Sequence, residues 1–232
     1  MNKNVLKKLG EALLSNPLTT MLDPNPNNHP PILYKYRNWK DGHHKDLLIK
    51  NELFMSPPSL LNDPFDCRIY ENHLKFVNTP EQKEKYISES LKRNLDYFNE
   101  NNLSIEQGRK ILSERLSDTL HYQVRSEVIG NEIDDKHIGI ACLSEKWDSI
   151  LMWSHYADNH KGYCIGFDEK LLRYSQVFGK IKRVEYSNYY PEINPLNRNK
   201  KTSELKYFYK NIDWNYEKEV RLMNIYFDYK TP

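Results

Sequence analysis

Two helix-start signatures, Thr79-Pro80-Glu81-Gln82 and Ser104-Ile105-Glu106-Gln107, stand close together in a chain whose other ordered segments are short and rich in β-branched or aromatic residues. In each, the Ser or Thr side chain can cap the third backbone N–H while the Gln reaches back to the cap residue. Pro80 takes the first helical position, where a missing N–H is harmless. The pattern predicts helices over about 80–98 and 105–128, paired as a hairpin or lid. Around this block the strand-like runs are ILYKYR (32–37), ELFMS (52–56), IGIACLS (138–144), YCIGF (163–167), IKRVEY (181–186) and EVRLMNIYF (219–227). Further helices are expected near 45–51, 148–158 and 202–211, the second with Asp148 as N-cap and with Asn159 and Gly162 as stop signals. The chain therefore reads as α+β, one domain over 32–232 with a β-rich core and a helical insertion at about 78–130. Val5 to Ser15 suits a short amphipathic helix. Five prolines and three asparagines between residues 17 and 31 then demand an extended arm.

A length of 232 residues fits one domain and leaves no room for two full ones with a linker. With 17 Tyr, 24 Asn, 8 Gly and 3 Ala, the core is expected to be bulky and aromatic. No run of apolar residues is long enough to span a membrane, and the first residues lack a secretory cleavage pattern, so a cytoplasmic protein with no membrane partner is expected. Cys67, Cys142 and Cys164 are odd in number and lack C-x-x-C spacing, which argues against disulfides or a structural zinc. Since 34 basic residues face 32 acidic ones, bulk charge names no partner. The lysines of the C-terminal quarter, Lys210 among them, read as a solvated face.

Four segments can carry chemistry. In Asn62-Asp63-Pro64-Phe65-Asp66, Asp63 is pushed to extended geometry by the proline. The turn either plugs Phe65 into the core or sets Asp63 and Asp66 in a polar cleft as acceptors or hard metal ligands. Apolar residues surround the helix expected from SILMWSHYADNHKG (149–162), so it should be central. There Trp153, His155 and Tyr156 need partners for their polar atoms. His155 and His160 are about 140° out of phase on a helix and do not share a face. Ser154 beside His155 lacks a nucleophile elbow. In WNYEKEVRL, strand alternation puts Glu217, Glu219 and Arg221 on one face, with the carboxylates about 7 Å apart. The glutamates are either solvated or a pair with divided labour, one stabilising positive charge on a sugar and the other activating the attacking group. In LYKYR, Tyr34 and Tyr36 share one face, and Lys35 and Arg37 form a cationic stripe on the other, suited to phosphate or carboxylate. Cations, paired carboxylates and flat aromatics suit a nucleotide, held by side chains because no Gly-rich phosphate loop is present.

The blocks LYKYR, LLIKNELFMSPPSLLNDPFD, ACLSEKWDSILMWSHYADNHKGYCIGFD, VEY and WNYEKEVRL, in this order, resemble the bacterial family catalogued as domain of unknown function 2971, found near mobile elements and defence loci. More distantly, the order of a tyrosine-rich basic strand, a serine-ended strand and a late E-x-E strand resembles the ADP-ribosyltransferase fold, with its split β-sheet. This second resemblance implies NAD as substrate and an ADP-ribosyltransferase or NAD glycohydrolase, as a toxin or phage-defence effector. Glu219 would be catalytic and Glu217 would activate the acceptor. Arg37, or Lys35 in its place, would contact NAD, and Ser144, or Ser56, would be the supporting serine. Tyr36, Asn62, Asp63, Trp153, His155 and Tyr156 complete the expected nucleotide site. The partners implied are a protein or nucleic-acid acceptor and an antitoxin or other defence partner. The competing expectations are a non-catalytic nucleotide-sensing or interaction module, and a nuclease holding Mg²⁺ on Asp63, Asp66 and Glu217 or Glu219.

Overall fold

The computed structural model describes residues 31–226, so the helix expected at 5–15 and the arm at 17–31 lie outside the described residues. The chain forms two compact units, one of residues up to Pro64 with Asp134–Asn188 and the segment from Phe208 onward, the other of Phe65–Ile133 and Tyr189–Tyr207. Among the described residues, no helix is long and apolar enough to cross a membrane.

The first unit is built on a five-stranded sheet. Ile32–Arg37 (β1), Ile138–Ser144 (β2), Tyr163–Asp168 (β3), Lys180–Arg183 (β4) and Glu219–Ile225 (β7) are ordered β3-β1-β2-β7-β4, and every neighbouring pair is antiparallel. Glu185–Ser187 (β5) and Tyr209–Asn211 (β6) form a separate parallel pair, so the run expected as one strand at 181–186 is divided between two sheets. The expected strand at 52–56 is reduced to one bridge, in which Ser56 exchanges both backbone hydrogen bonds with Ile140 at 2.8 Å.

Register decides which side chains share a face. Tyr34 lies opposite Ser144, and Ser144 opposite Glu219, so these three form a row across β1, β2 and β7. The alternate residues turn to the other face, where Leu33, Ala141, Leu143, Val220 and Leu222 pack with Leu47, Leu53, Met55, Leu172 and Phe178. Leu33 and Leu222 are fully buried, each contributing about 1.5–3 kcal/mol by leaving water. Leu47 comes from Gly42–Ile49 (α1), which starts where the Asp41 carboxylate accepts from the N–H groups of His43 and His44.

The second unit is helical: His73–Phe76 (α2), Pro80–Arg93 (α3), Leu95–Glu100 (α4), Ile105–Leu116 (α5), most of Thr119–His137 (α6), and Lys200–Leu205 (α9). Both expected capping boxes are present, at Thr79–Gln82 and Ser104–Gln107. The two long helices expected here are four. Asn94 turns its side chain back onto the Ser90 carbonyl and ends α3, and the Asp118 carboxylate caps a new helix through the His121 N–H at 2.9 Å. Val77, Tyr86, Ile87, Leu91, Phe98 and Leu116 form the core. Buried His73 meets Tyr86 and Tyr122 edge to face.

Candidate active site

The remaining helices of the first unit are Ile150–Tyr156 (α7) and Glu169–Tyr174 (α8). The N-cap of α7 is Ser149, whose Oγ accepts from the Met152 N–H, rather than Asp148. The helix is not buried all round: Met152 is buried, but Ile150 is 74% exposed and Leu151 also faces water. Its inner side, with Trp153 and Tyr156, packs on Tyr34, Tyr36, Cys164 and Tyr216. Trp153 donates its indole N–H to the Trp147 carbonyl at 2.8 Å, and Tyr36 donates its hydroxyl to the Lys146 carbonyl at 2.8 Å. After α7, Asp158, Asn159 and His160 all have positive φ. They bring Gly162 against β1 so closely that a Cβ there would lie 2.1 Å from the Arg37 carbonyl. Only glycine fits.

The two glutamates do not lie along one strand as alternation predicts. A 3₁₀ segment, Ile212–Glu217, ends at Lys218, which is left-handed at φ 45° and ψ 53°, and β7 starts only at Glu219. The carboxylates meet instead on the ammonium of Lys210 in β6, 2.7 Å from Glu217 Oε2 and 3.4 Å from Glu219 Oε2. Arg221 grips Glu219 from the same face of β7, with Nε 2.7 Å from Oε1 and Nη2 3.1 Å from Oε2. Tyr156 donates its hydroxyl to Glu217 Oε1. Lys210, Glu217, Glu219 and Arg221 are each at most 3% exposed, so the glutamates are not solvated and Lys210 is not on a solvated face.

Backbone contacts lock this cluster in place. Ser144 Oγ donates to the Glu217 carbonyl at 2.6 Å and accepts from the Lys146 N–H at 3.0 Å. The Glu219 N–H donates to the Tyr186 hydroxyl at 2.8 Å. An aromatic wall runs beside the cluster: Lys210 Nζ lies 4.6 Å from the Trp214 ring centre, Trp214 packs on Tyr216, and Tyr216 on the exposed His155.

Electrostatics separate the two carboxylates. Burial, reinforced by the Glu219 charge, raises the Glu217 carboxyl above its ordinary value in spite of Lys210. Burial acts in the same direction on Glu219, but Arg221 and Lys210 together outweigh it and hold that carboxyl below the ordinary range. Burial and the neighbouring Glu219 push the Cys142 thiol up to about 12. All three cysteines are free thiols.

Other expected site residues lie apart from this arrangement. Alternation starts Lys35 and Arg37 on the Leu33 side of β1, opposite the Tyr34–Ser144–Glu219 row, yet Lys35 bonds to the Cys142 carbonyl of β2 at 2.5 Å and feels the charges of Glu219 and Glu217. Ser56 serves through its backbone, and Asn62 is exposed. The NDPFD turn is the reverse of a plugged-in phenylalanine: Asp63 and Asp66 are buried and Phe65 is 68% exposed. Among the described residues, no group of three or more His, Cys, Asp and Glu is placed to hold a metal ion. Sequence reasoning assigned no role to Lys210, Arg221, Tyr186 or Trp214. The one available signal was the aromatic setting of Lys210 in YFYKNIDW, which favours a buried ammonium.

Residues 152–222, the stretch that holds Tyr156, Lys210, Glu217, Glu219 and Arg221, match the model of a family described as Protein of unknown function (DUF2971). Neither the comparison with curated proteins nor that with solved structures found a match.

Proposed function

We propose that this chain cleaves the N-glycosidic bond of a nucleotide, with NAD as substrate, passing the ADP-ribosyl group to water or to a macromolecular acceptor. One observation carries the reading: two adjacent buried carboxylates bridged by one lysine, in surroundings that drive their protonation apart. Such a separation marks an acid/base pair with divided roles. As the ribose–nicotinamide bond breaks, nicotinamide leaves with the bonding electrons and the ribose becomes oxocarbenium-like. A carboxylate that stays ionised stabilises charge which exists only at that stage, and Glu219 is suited to this. Glu217 takes the proton of the attacking hydroxyl, and Tyr156 orients it. Trp214 and Tyr216, both partly exposed, supply flat surfaces for a base, while Tyr36 is buried beneath α7. The Tyr34–Ser144–Glu219 row also accords with an ADP-ribosyltransferase-like split sheet, as does the parting of β1 from β2 beyond Tyr34.

The engagement of both Glu219 oxygens by Arg221 and Lys210 favours a second reading, a non-catalytic nucleotide-sensing module. Incubation with labelled NAD separates the two. Turnover by the natural chain that falls at least about 100-fold in Glu219→Gln supports catalysis. Thermal stabilisation by NAD without turnover supports sensing, and equal turnover by both chains removes Glu219 from the mechanism.

A further inference from the structure

The opposite face of the sheet poses a hydrogen-bonding problem that the protein does not solve with its own groups. The Asn38 backbone N–H donates to His44 Nδ1 at 3.0 Å, so Nδ1 carries no proton and the neutral ring must hold its hydrogen on Nε2. Nε2 lies 3.4 Å from Arg37 Nη1, which is also a donor only. Protonating the ring offers no relief, because Nδ1 would then confront the Asn38 N–H with a second donor. The Arg37–His44 contact therefore lacks an acceptor in either state.

Arg37 Nε is buried and has no hydrogen-bond partner among the described residues. Three N–H groups on two side chains are thus left facing positions where an acceptor belongs, and such groups cost free energy unless one is supplied. Lys35, two residues back on the same face of β1, adds an ammonium that spends one bond on the Cys142 carbonyl at 2.5 Å. Asp41, whose charge acts on both Arg37 and His44, already accepts from the His43 and His44 N–H groups at the start of α1. The charges are crowded: burial and Arg37 bring Lys35 down to about 7 against the opposing pull of Glu219 and Glu217, and burial with Arg37 lowers His44 in spite of Asp41. The framework is held firmly, since Tyr163, opposite Arg37 in register, donates its hydroxyl to the His44 carbonyl.

We infer that Arg37, His44 and Lys35 form a binding site for a phosphate group. The missing partner must be an acceptor and negatively charged. A carboxylate offers two oxygens, whereas a phosphate offers three to the Arg37 fork, the His44 ring N–H and the Lys35 ammonium together. The glycosyl-transfer assay reads Glu219, whereas this inference is read at Arg37 and His44, so the two can fail separately.

The test titrates the full chain with inorganic phosphate, with adenosine 5′-monophosphate and with a short single-stranded oligonucleotide, and with acetate as the carboxylate control. Melting temperature and the His44 ring resonances by NMR are the readouts. Phosphate or a phosphate ester should raise the melting temperature and move the His44 signals, and acetate should do neither. Arg37→Gln should weaken binding at least about 10-fold, and Arg37→Lys, which keeps the charge without the fork, should weaken it by a smaller factor. The strongest of the three probes identifies the carrier of the phosphate. Circular dichroism verifies that each variant is folded, and His44→Gln supplies a second measurement should Arg37→Gln fail to fold. The inference is overturned if none of the phosphate probes shifts either signal, or if folded Arg37 and His44 variants bind as the natural chain does.

Discussion

The two faces of one sheet carry buried charge in opposite ways. On one, Lys210 and Arg221 are matched against Glu217 and Glu219, and the carboxylates are bonded on all sides. On the other, Lys35, Arg37 and His44 crowd together, and the local carboxylate, Asp41, is engaged by backbone. A balanced buried cluster is expensive to break, because losing one partner strands the other in a medium that solvates it poorly. A cluster of like charges is expensive to keep, and it is relieved by a ligand of the other sign.

The comparison fails if truncating a cation has the same effect on both faces. Arg221→Met should cost about 3–5 kcal/mol in urea unfolding, since it leaves Glu219 buried beside one lysine. Tyr156→Phe should cost about 1–3 kcal/mol, the penalty for depriving the buried Glu217 of a donor, and should raise the Glu217 carboxyl further, readable by infrared titration. Arg37→Met, in phosphate-free buffer, should change stability by less than about 1 kcal/mol or increase it, because it removes donors that had no acceptor.

The pH dependence sharpens the same contrast. Glu219 is held below its ordinary value of 4.5, so its contribution is complete above that value and is lost as pH falls below it; Glu219→Gln should flatten this acid limb. Lys35 is lowered from 10.5 to about 7, so between those values the unfolded chain binds the extra proton and stability rises with pH. A Lys35→Met variant should lack that rise, which thermal melts from pH 7 to 10 would show.

Much of the local structure was legible. Thr79 and Ser104 marked helix starts, because a cap is made within three residues. The runs at 32–37, 138–144 and 163–167 declared strands by their residue types. Glu217 and Glu219 stood out as a pair, although for the wrong geometric reason. A left-handed lysine at 218 has no sequence signature, since lysine rarely adopts that backbone, and here the Lys218 ammonium and N–H both bond to Asn215. The exposure of Phe65 and of Ile150 and Leu151 was likewise hidden, because periodicity reports how many apolar residues a segment has and says nothing of what covers them.

Residue order alone thus settles where helices begin, which runs are extended, and that Tyr34 and Lys35 must face opposite ways, because caps and alternation act over a few bonds. It cannot say that Tyr34, Ser144 and Glu219 would line up across three strands. Nor can it say that Lys210 would leave the surface to join two glutamates, or that Arg37 would meet a histidine where an acceptor was needed. Those outcomes rest on register between segments up to about a hundred residues apart, and register is set by burying Leu33, Leu143 and Leu222 together on the far side of the sheet.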